Sequence, residues 1–241
     1  GDVAQALPLA LSEKKGNEVL VFLPYYQRIK QNKEIQTEHI KSFAVDLSWR
    51  RQHVGVFRLK SRKKKLQIYF IDNEYYFNRD GAYGYWDDGE RFAYFSKAVL
   101  ETMAQLDIKP DVIHLNDWQT ALIPVLLHHF YEKKLGGAKT VFTIHNIEYQ
   151  GKADPYFIGD VLGLPNSKAR NLVYDSMVNF MKSAILSCDA LTTVSKTYAN
   201  EIKYPYYAHG LSKIISEHDF KLSGIVNGID MDVVNPETGE V

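Results

Sequence analysis

Short apolar runs alternate with amphipathic stretches from about residue 110 to residue 229, and this alternation most constrains the fold. DVIHL (111–115), KTVFTI (139–144), ALTTVS (190–195) and SGIVNGI (223–229) are each long enough for one buried strand. Helix-period segments separate them: 117–131, 169–188, 196–203 and 211–218. Strands buried on both faces read as continuous apolar runs, and parallel neighbours need crossover helices. The pattern predicts an α/β chain with a Rossmann-like parallel sheet and helices on both faces. Upstream, EVLVFLP (18–24) reads as a further strand. KSFAVDLSW, HVGVFRLK and LQIYFID alternate or are β-branched, predicting an antiparallel β-hairpin insertion near 40–75. An apolar stripe of Phe92, Phe95, Val99, Met103 and Leu106 predicts a strong helix after the loop NRDGAYGYWDDGE (78–90). No stretch from 80 to 241 reads as a linker, so 1–241 is taken as one domain.

In such sheets ligands bind beyond the carboxyl ends of the strands. That rule selects HLNDW (114–118), HNIEYQG (145–151) and NGID (227–230). Asp117 has two readings here. It could cap the helix predicted over 117–131, accepting N–H bonds at its amino end, or it could face a ligand. His145 could likewise satisfy a neighbouring carbonyl or hold a substrate. Their coincidence at neighbouring strand ends, beside neutral amides and hydroxyls, suits a polyhydroxylated ligand whose hydroxyls both donate and accept. Asn146 belongs with His145 in that reading. Tyr149, Gln150 and Gly151 are read as shaping the loop, and Glu148 has no assigned part.

Several chemistries are excluded or disfavoured. Neither G-x-G-x-x-G after a strand nor G-x-x-x-x-G-K-[ST] occurs, and G-x-S-x-G is absent. A nicotinamide-linked oxidoreductase is therefore disfavoured. His114, Asp117 and His145 lack metal-ligand spacing, so no metal or other cofactor is expected. With 29 basic and 29 acidic residues the chain lacks the positive footprint of a nucleic-acid binder. The basic run KSRKKK (60–65) reads as a solvated hairpin turn. Cys188 is the single cysteine and sits among apolar residues, which favours packing over reactivity. No apolar run reaches the roughly 18–20 residues of a membrane span. Sixteen tyrosines suit surfaces that stack on sugars, because each ring has an apolar face and a polar tip.

GDVAQALPLAL, VFLPYY, FIDNEYYFNRDGAYGYWDDGERFAYFSKAVLE, DVIHLNDWQTALIPVLL, FTIHNIEYQG, LTTVSKTYANEI and SGIVNGIDMDVVNPET run the length of the chain. With these stretches in this order the sequence closely resembles the amino-terminal, acceptor-side domain of bacterial glycogen synthases and plant starch synthases. The resemblance implies half of a GT-B fold. It implies retaining transfer of glucose from ADP-glucose (UDP-glucose in some relatives) to the non-reducing end of an α-1,4-glucan, without metal. It assigns Asp117 and His145 to catalysis, and Asp2, Tyr83, Asn146 and Asn227 to substrate binding. Asp2 matches the aspartate closing a Lys-Thr-Gly-Gly-Leu-Gly-Asp loop, Tyr83 a tyrosine lining the cleft. The family's first strand, most of that loop and its whole carboxyl-terminal domain are expected beyond this chain. The location implied is cytoplasmic in a bacterium or plastidial in a plant. A glucan-binding domain without chemistry of its own is the other reading.

Overall fold

The chain builds its strands into two four-stranded sheets and a small three-stranded one, as seen in a computed structural model describing residues 2–61, 65–165, 167 and 169–228. Helix α1 (Asp2–Glu13) leads into strand β1 (Val19–Pro24), and a short helix α2 (Gln27–Gln31) follows. Strands β2 (Thr37–Leu47), β3 (Arg50–Leu59) and β4 (Leu66–Asp72) come next. They form a sheet in the order β1-β4-β3-β2, with β1 parallel to β4 and the rest antiparallel. The expected hairpin is thus an extension of a sheet. Its tip is tight, because Leu47 pairs with Arg50 and only Ser48 and Trp49 lie between. Ser48 takes a left-handed φ of 54° there. The KSRKKK turn falls partly outside the described residues.

Helix α3 (Glu74–Phe77) is capped by the Asn73 side chain, which accepts from Tyr76 N at 3.2 Å. Helix α4 (Asp88–Gln105) is the spine of the molecule. Phe92, Phe95, Val99 and Met103 are buried as their spacing predicts, and so is Arg91. This helix packs on β2 and β4 and also on the helical segment that follows the next strand, joining the sheets through one core.

Strand β5 (Val112–Asn116) opens the second sheet. The helix predicted over 117–131 is broken into a 3-10 turn (Trp118–Thr120), α5 (Ile123–Leu126), a π turn (Leu127–Tyr131) and α6 (Glu132–Leu135). Pro124 lies in the first turn of α5, where its missing N–H has no intrahelical partner to lose. Strand β6 (Lys139–Ile144) follows, then β7 (Lys152–Ala153), α7 (Phe157–Asp160) and α8 (Ala169–Leu172).

The single helix expected over 169–188 is not formed. Strands β8 (Val173–Tyr174) and β9 (Met177–Asn179) interrupt it, and only α9 (Phe180–Ser187) continues as a helix. Asp175 and Ser176 turn the chain with φ of 47° and 63°, the left-handed pair that a two-residue hairpin demands. Asn179 then caps α9 by accepting from Lys182 N at 2.9 Å. Strand β10 (Ala190–Thr193), helices α10 (Lys196–Glu201) and α11 (Ser212–Glu217), and strand β11 (Leu222–Gly224) complete the described chain. The order β11-β10-β6-β5 is parallel throughout, as the apolar runs imply. Strand β11 is shorter than SGIVNGI suggested. Cys188 is buried, and that burial pushes its thiol pKa up, in keeping with a packing role.

Candidate functional site

Because β5, β6, β10 and β11 run parallel, their carboxyl ends open on one side of the sheet, and the polar loops meet there. Asp117 follows β5 directly with φ 55° and ψ −177°, a conformation that glycine tolerates and other residues hold at a cost of about 1–3 kcal/mol. Its N–H donates to the Thr143 carbonyl at 3.0 Å, tying the end of β5 to β6. The carboxylate completes the tie: Oδ1 accepts from His145 N at 2.8 Å and from Asn146 N at 3.3 Å.

The helix-capping reading of Asp117 therefore fails, since its side chain makes no cap bond to the following turn. The Thr120 hydroxyl instead reaches back to the end of β5, accepting from Asn116 N at 2.8 Å. Among the described residues Oδ2 of Asp117 accepts no hydrogen bond, so one carboxylate oxygen is held and the other is open to a ligand.

His145 is half-buried, and its Nε2 lies 2.9 Å from Asn116 Oδ1. With that amide oxygen accepting, Nε2 carries the proton and Nδ1 remains as the ring's acceptor. Asn146 is exposed, and its Oδ1 accepts from Glu148 N at 2.9 Å, which bends the loop. Behind these residues a hydroxyl chain crosses three strands: His114 Nε2 to Thr143 Oγ1 at 2.7 Å, then Thr143 Oγ1 to Thr192 Oγ1 at 2.6 Å. His114 is exposed as a residue, but crowding around its ring, and secondarily the nearby His145, lower its pKa.

Of the rest of HNIEYQG, Gln150 and Gly151 are scaffold. Buried Gln150 donates to the carbonyls of Ile147 (3.1 Å) and His209 (2.9 Å) and accepts from Asn179 Nδ2 at 2.7 Å. Gly151 has φ 65°, and a Cβ there would run into the Trp118 ring and lie 3.0 Å from Phe180. Tyr149, by contrast, is exposed and makes no hydrogen bond among the described residues. We expect Gly151→Ala to destabilise the protein by about 2–4 kcal/mol, from the left-handed φ and the forced shift of Trp118. Urea unfolding measures this, and a midpoint equal to that of the unsubstituted protein would refute the packing argument.

The loop 78–90 reaches the same end through α4. Phe92 stacks edge-on against Trp118, centroids 5.2 Å apart, one residue from Asp117. Within the loop Arg79 forks onto Asp87, both N···O distances 2.6 Å. Burial alone would raise the Asp87 carboxyl, but the Arg79 bonds outweigh it and hold the pKa below the usual range. Asp88 Oδ2 accepts from the backbone N of Gly84 and Tyr85, at 2.6 and 3.1 Å. Tyr83, 69% exposed, is thus displayed on a braced turn.

Asn227 is exposed three residues beyond β11, past the same sheet end, where Ile225 N still donates to the Thr193 carbonyl at 2.8 Å. Asp2 heads α1, which packs on β1 and β4, and its side chain lies outside the described part of the structure. Asn116, Trp118, Thr143 and Tyr198 were not singled out from sequence. Tyr198 accepts from Ile147 N through its hydroxyl at 3.1 Å. Asn116 and Trp118 flank Asp117 in the NDW run, which was the available signal. A separate cavity of about 450 Å³, lined in part by His128, Glu132, Lys139 and Asp189, sits at the amino end of β6 and is no part of this site. No group of three or more His, Cys, Asp or Glu side chains converges among the described residues.

The family model of the starch synthase catalytic domain matches residues 1–217. The chain belongs to that family. Within the starch synthase family, a glycogen synthase of Streptococcus agalactiae serotype III (strain NEM316) is 49% identical over 242 residues, covering 99% of this chain and 50% of that protein. A glycogen synthase of Clostridium acetobutylicum is 47% identical over 245 residues, again 99% of this chain and 50% of the relative. Among solved structures, the catalytic domain of starch synthase IV from Arabidopsis thaliana, bound to ADP and acarbose, superposes with a TM-score of 0.87. It is 33% identical and the match covers 98% of this chain and 50% of that one. The chain spans about half the length of the curated relatives it matches. These matches bear out the α/β, GT-B-type fold class and the glycosyltransferase family read from the sequence.

Proposed function

We propose that the chain is the acceptor-side half of a retaining glucosyltransferase that moves glucose from ADP-glucose to the non-reducing end of an α-1,4-glucan. The observation that carries this reading is the strained Asp117, whose carboxylate is pinned by the first two N–H groups of HNIEYQG while Oδ2 stays open. Departure of the nucleotide builds positive charge on the sugar ring, and a preoriented carboxylate at that point stabilises it. His145, its Nε2 engaged by Asn116, has Nδ1 to accept from a sugar hydroxyl and hold the ring in position. Asn146, Asn227, Tyr83 and Asp2 take the binding roles that the resemblance implies. No side chain here is needed as a covalent nucleophile, and no metal or cofactor enters the scheme.

A second domain, facing this one across a cleft, would hold most of the donor nucleotide. A strand ahead of α1 would join the sheet, carrying the rest of the glycine-rich loop that Asp2 closes. The setting is the bacterial cytoplasm or a plastid. Among the described residues no helix is long and apolar enough to cross a membrane.

The test is transfer of label from ADP-[14C]glucose to glycogen, with UDP-glucose in a parallel arm. The intact protein is expected to extend glycogen at non-reducing ends, released again by β-amylase, and to prefer ADP-glucose. Residues 1–241 alone are expected to bind glucan and leave the label in the nucleotide. Rapid transfer by 1–241 alone would overturn the two-domain reading. Glucan binding without transfer by the intact protein would favour a binding module.

A further inference from the structure

Around the amino end of α4 the chain exposes aromatic rings that the proposed reaction does not use. Trp86 is 92% exposed, Tyr156 85% and Trp49 73%, with Tyr83 at the inner end of the group. Large apolar rings left open to water need an explanation when they cluster.

Contacts through Gly89, Phe157 and Asp160 bring these four into one neighbourhood. Trp86 stands two residues before α4, and Gly89 in the first turn of α4 lies against the Phe157 ring, next to Tyr156. Asp160, at the far end of α7, donates its N–H to the Tyr156 carbonyl at 2.9 Å and its Oδ1 accepts from Trp49 Nε1 at 2.8 Å.

Trp49, though exposed, is held by several contacts. It sits at the two-residue tip between β2 and β3, with Ser48 in a left-handed conformation backed by Gly163. Arg50 stacks its guanidinium 4.3 Å from the Trp49 ring centroid, covering one face, and donates to Asp160 Oδ2 at 2.7 Å. Arg50 also reaches Glu90 Oε2 at 3.6 Å, and Glu90 in turn accepts from the Tyr76 hydroxyl at 2.6 Å. The indole is therefore fixed before any ligand arrives, and a fixed ring loses little entropy on binding. Among the described residues none of the four rings stacks on another, and Trp49 keeps free the face turned away from Arg50.

We infer that Trp49, Trp86 and Tyr156 form an aromatic platform that carries the distal glucose units of a long α-1,4-glucan, continuing outward from Tyr83. The ligand class follows from the chemistry. Flat rings accept the C–H faces of pyranoses, while Asp160, Glu90 and Arg50 at their edges can exchange hydrogen bonds with hydroxyls. Arg50 is already paired with carboxylates, which suits an uncharged polymer over an anionic one. Tyr83 lies three residues before Trp86 on the same loop, which joins the platform to the proposed acceptor site. This inference rests on the proposed glucan acceptor and extends it from the reacting end to the remainder of the polymer.

The experiment compares Trp49→Ala and Trp86→Ala in the full-length protein, with Trp49→Phe as the conservative variant. Affinity for maltoheptaose and glycogen is measured by calorimetry, and KM and kcat are measured with maltotriose and with glycogen. Each alanine variant is expected to weaken long-glucan binding about tenfold and to leave maltotriose kinetics unchanged. Trp49→Phe should restore most of the affinity. Trp86 touches little of the protein, so its variant remains informative even if Trp49→Ala folds poorly. Wild-type glycogen affinity in folded Trp86→Ala and Trp49→Phe/Trp86→Ala would overturn the platform while leaving the proposed reaction standing. An unsubstituted protein that bound no glucan would overturn both.

Discussion

Asp117→Ala is expected to lower kcat for glucosyl transfer by about 100-fold or more, with a far smaller change in donor KM. The reason is that a charge developing in the transition state loses its counter-charge, whereas ground-state contacts are mostly made elsewhere. Two effects are folded into this substitution and can be separated. The carboxylate also clips β5 to β6 by accepting from His145 N and Asn146 N, so alanine loosens the loop as well as removing charge. Asp117→Asn retains an oxygen that can accept both N–H groups and a residue type that tolerates positive φ, yet it is neutral. Asparagine is therefore expected to keep the fold and still lose most of kcat. His145→Ala should fall in the same range, because the loss of a positioning contact at the reacting ring acts on the same step. Single-turnover rates with labelled ADP-glucose decide the matter. Turnover at the unsubstituted rate in both Asp117→Ala and His145→Ala would remove this strand end from the reaction.

That Asp117 faces β6 could not be read from sequence, because an aspartate before a helix-period segment fits a helix cap equally well. Its φ of 55° and the bonds its carboxylate accepts from His145 N and Asn146 N decide the question, and both depend on how β5 meets β6 in space. The strands themselves were legible, since KTVFTI and ALTTVS are apolar on both faces and have few alternatives to a parallel sheet. The stretch VYDSMVNF was misread as helix for a related reason. Its apolar positions suit a helical period, but Asp175 and Ser176 adopt left-handed backbone and turn it into a hairpin. Asp and Ser in a helix-period run give no local sign of that choice. Tertiary pairing of β9 with β7 supplies it. His145 and Asn146 adjoin Asp117 because strand ends in a parallel sheet share one side. The brace beneath Tyr83 was missed, since a charged residue on the buried stripe of α4 breaks the apolar pattern that sequence reading follows.

That brace yields the second large expected effect. Arg91 has no solvent exposure, pairs with Asp88, and donates Nε to the Tyr76 carbonyl at 2.8 Å. Its guanidinium lies 4.9 Å from the Tyr85 ring centroid and 5.5 Å from that of Phe92. Replacing it with methionine preserves much of the volume but leaves the Asp88 carboxylate buried without its cation. Breaking one partner of a buried pair in this way costs about 3–5 kcal/mol, more than the pair itself contributes, because the remaining charge is uncompensated. Arg91→Met is therefore expected to lower the unfolding free energy by that amount. Asp88→Asn/Arg91→Met should recover part of the loss, giving a clear non-additivity in a double-mutant cycle. Asp88 also holds the N–H groups of Gly84 and Tyr85, so whatever disturbs it loosens the turn that presents Tyr83. Glycogen KM should then rise in Arg91→Met at temperatures where the protein remains folded, while donor KM stays near its original value. A loss below about 1 kcal/mol would show instead that water or the loop backbone takes over the role of the guanidinium, and that the turn under Tyr83 is braced by Arg79 and Asp87 alone.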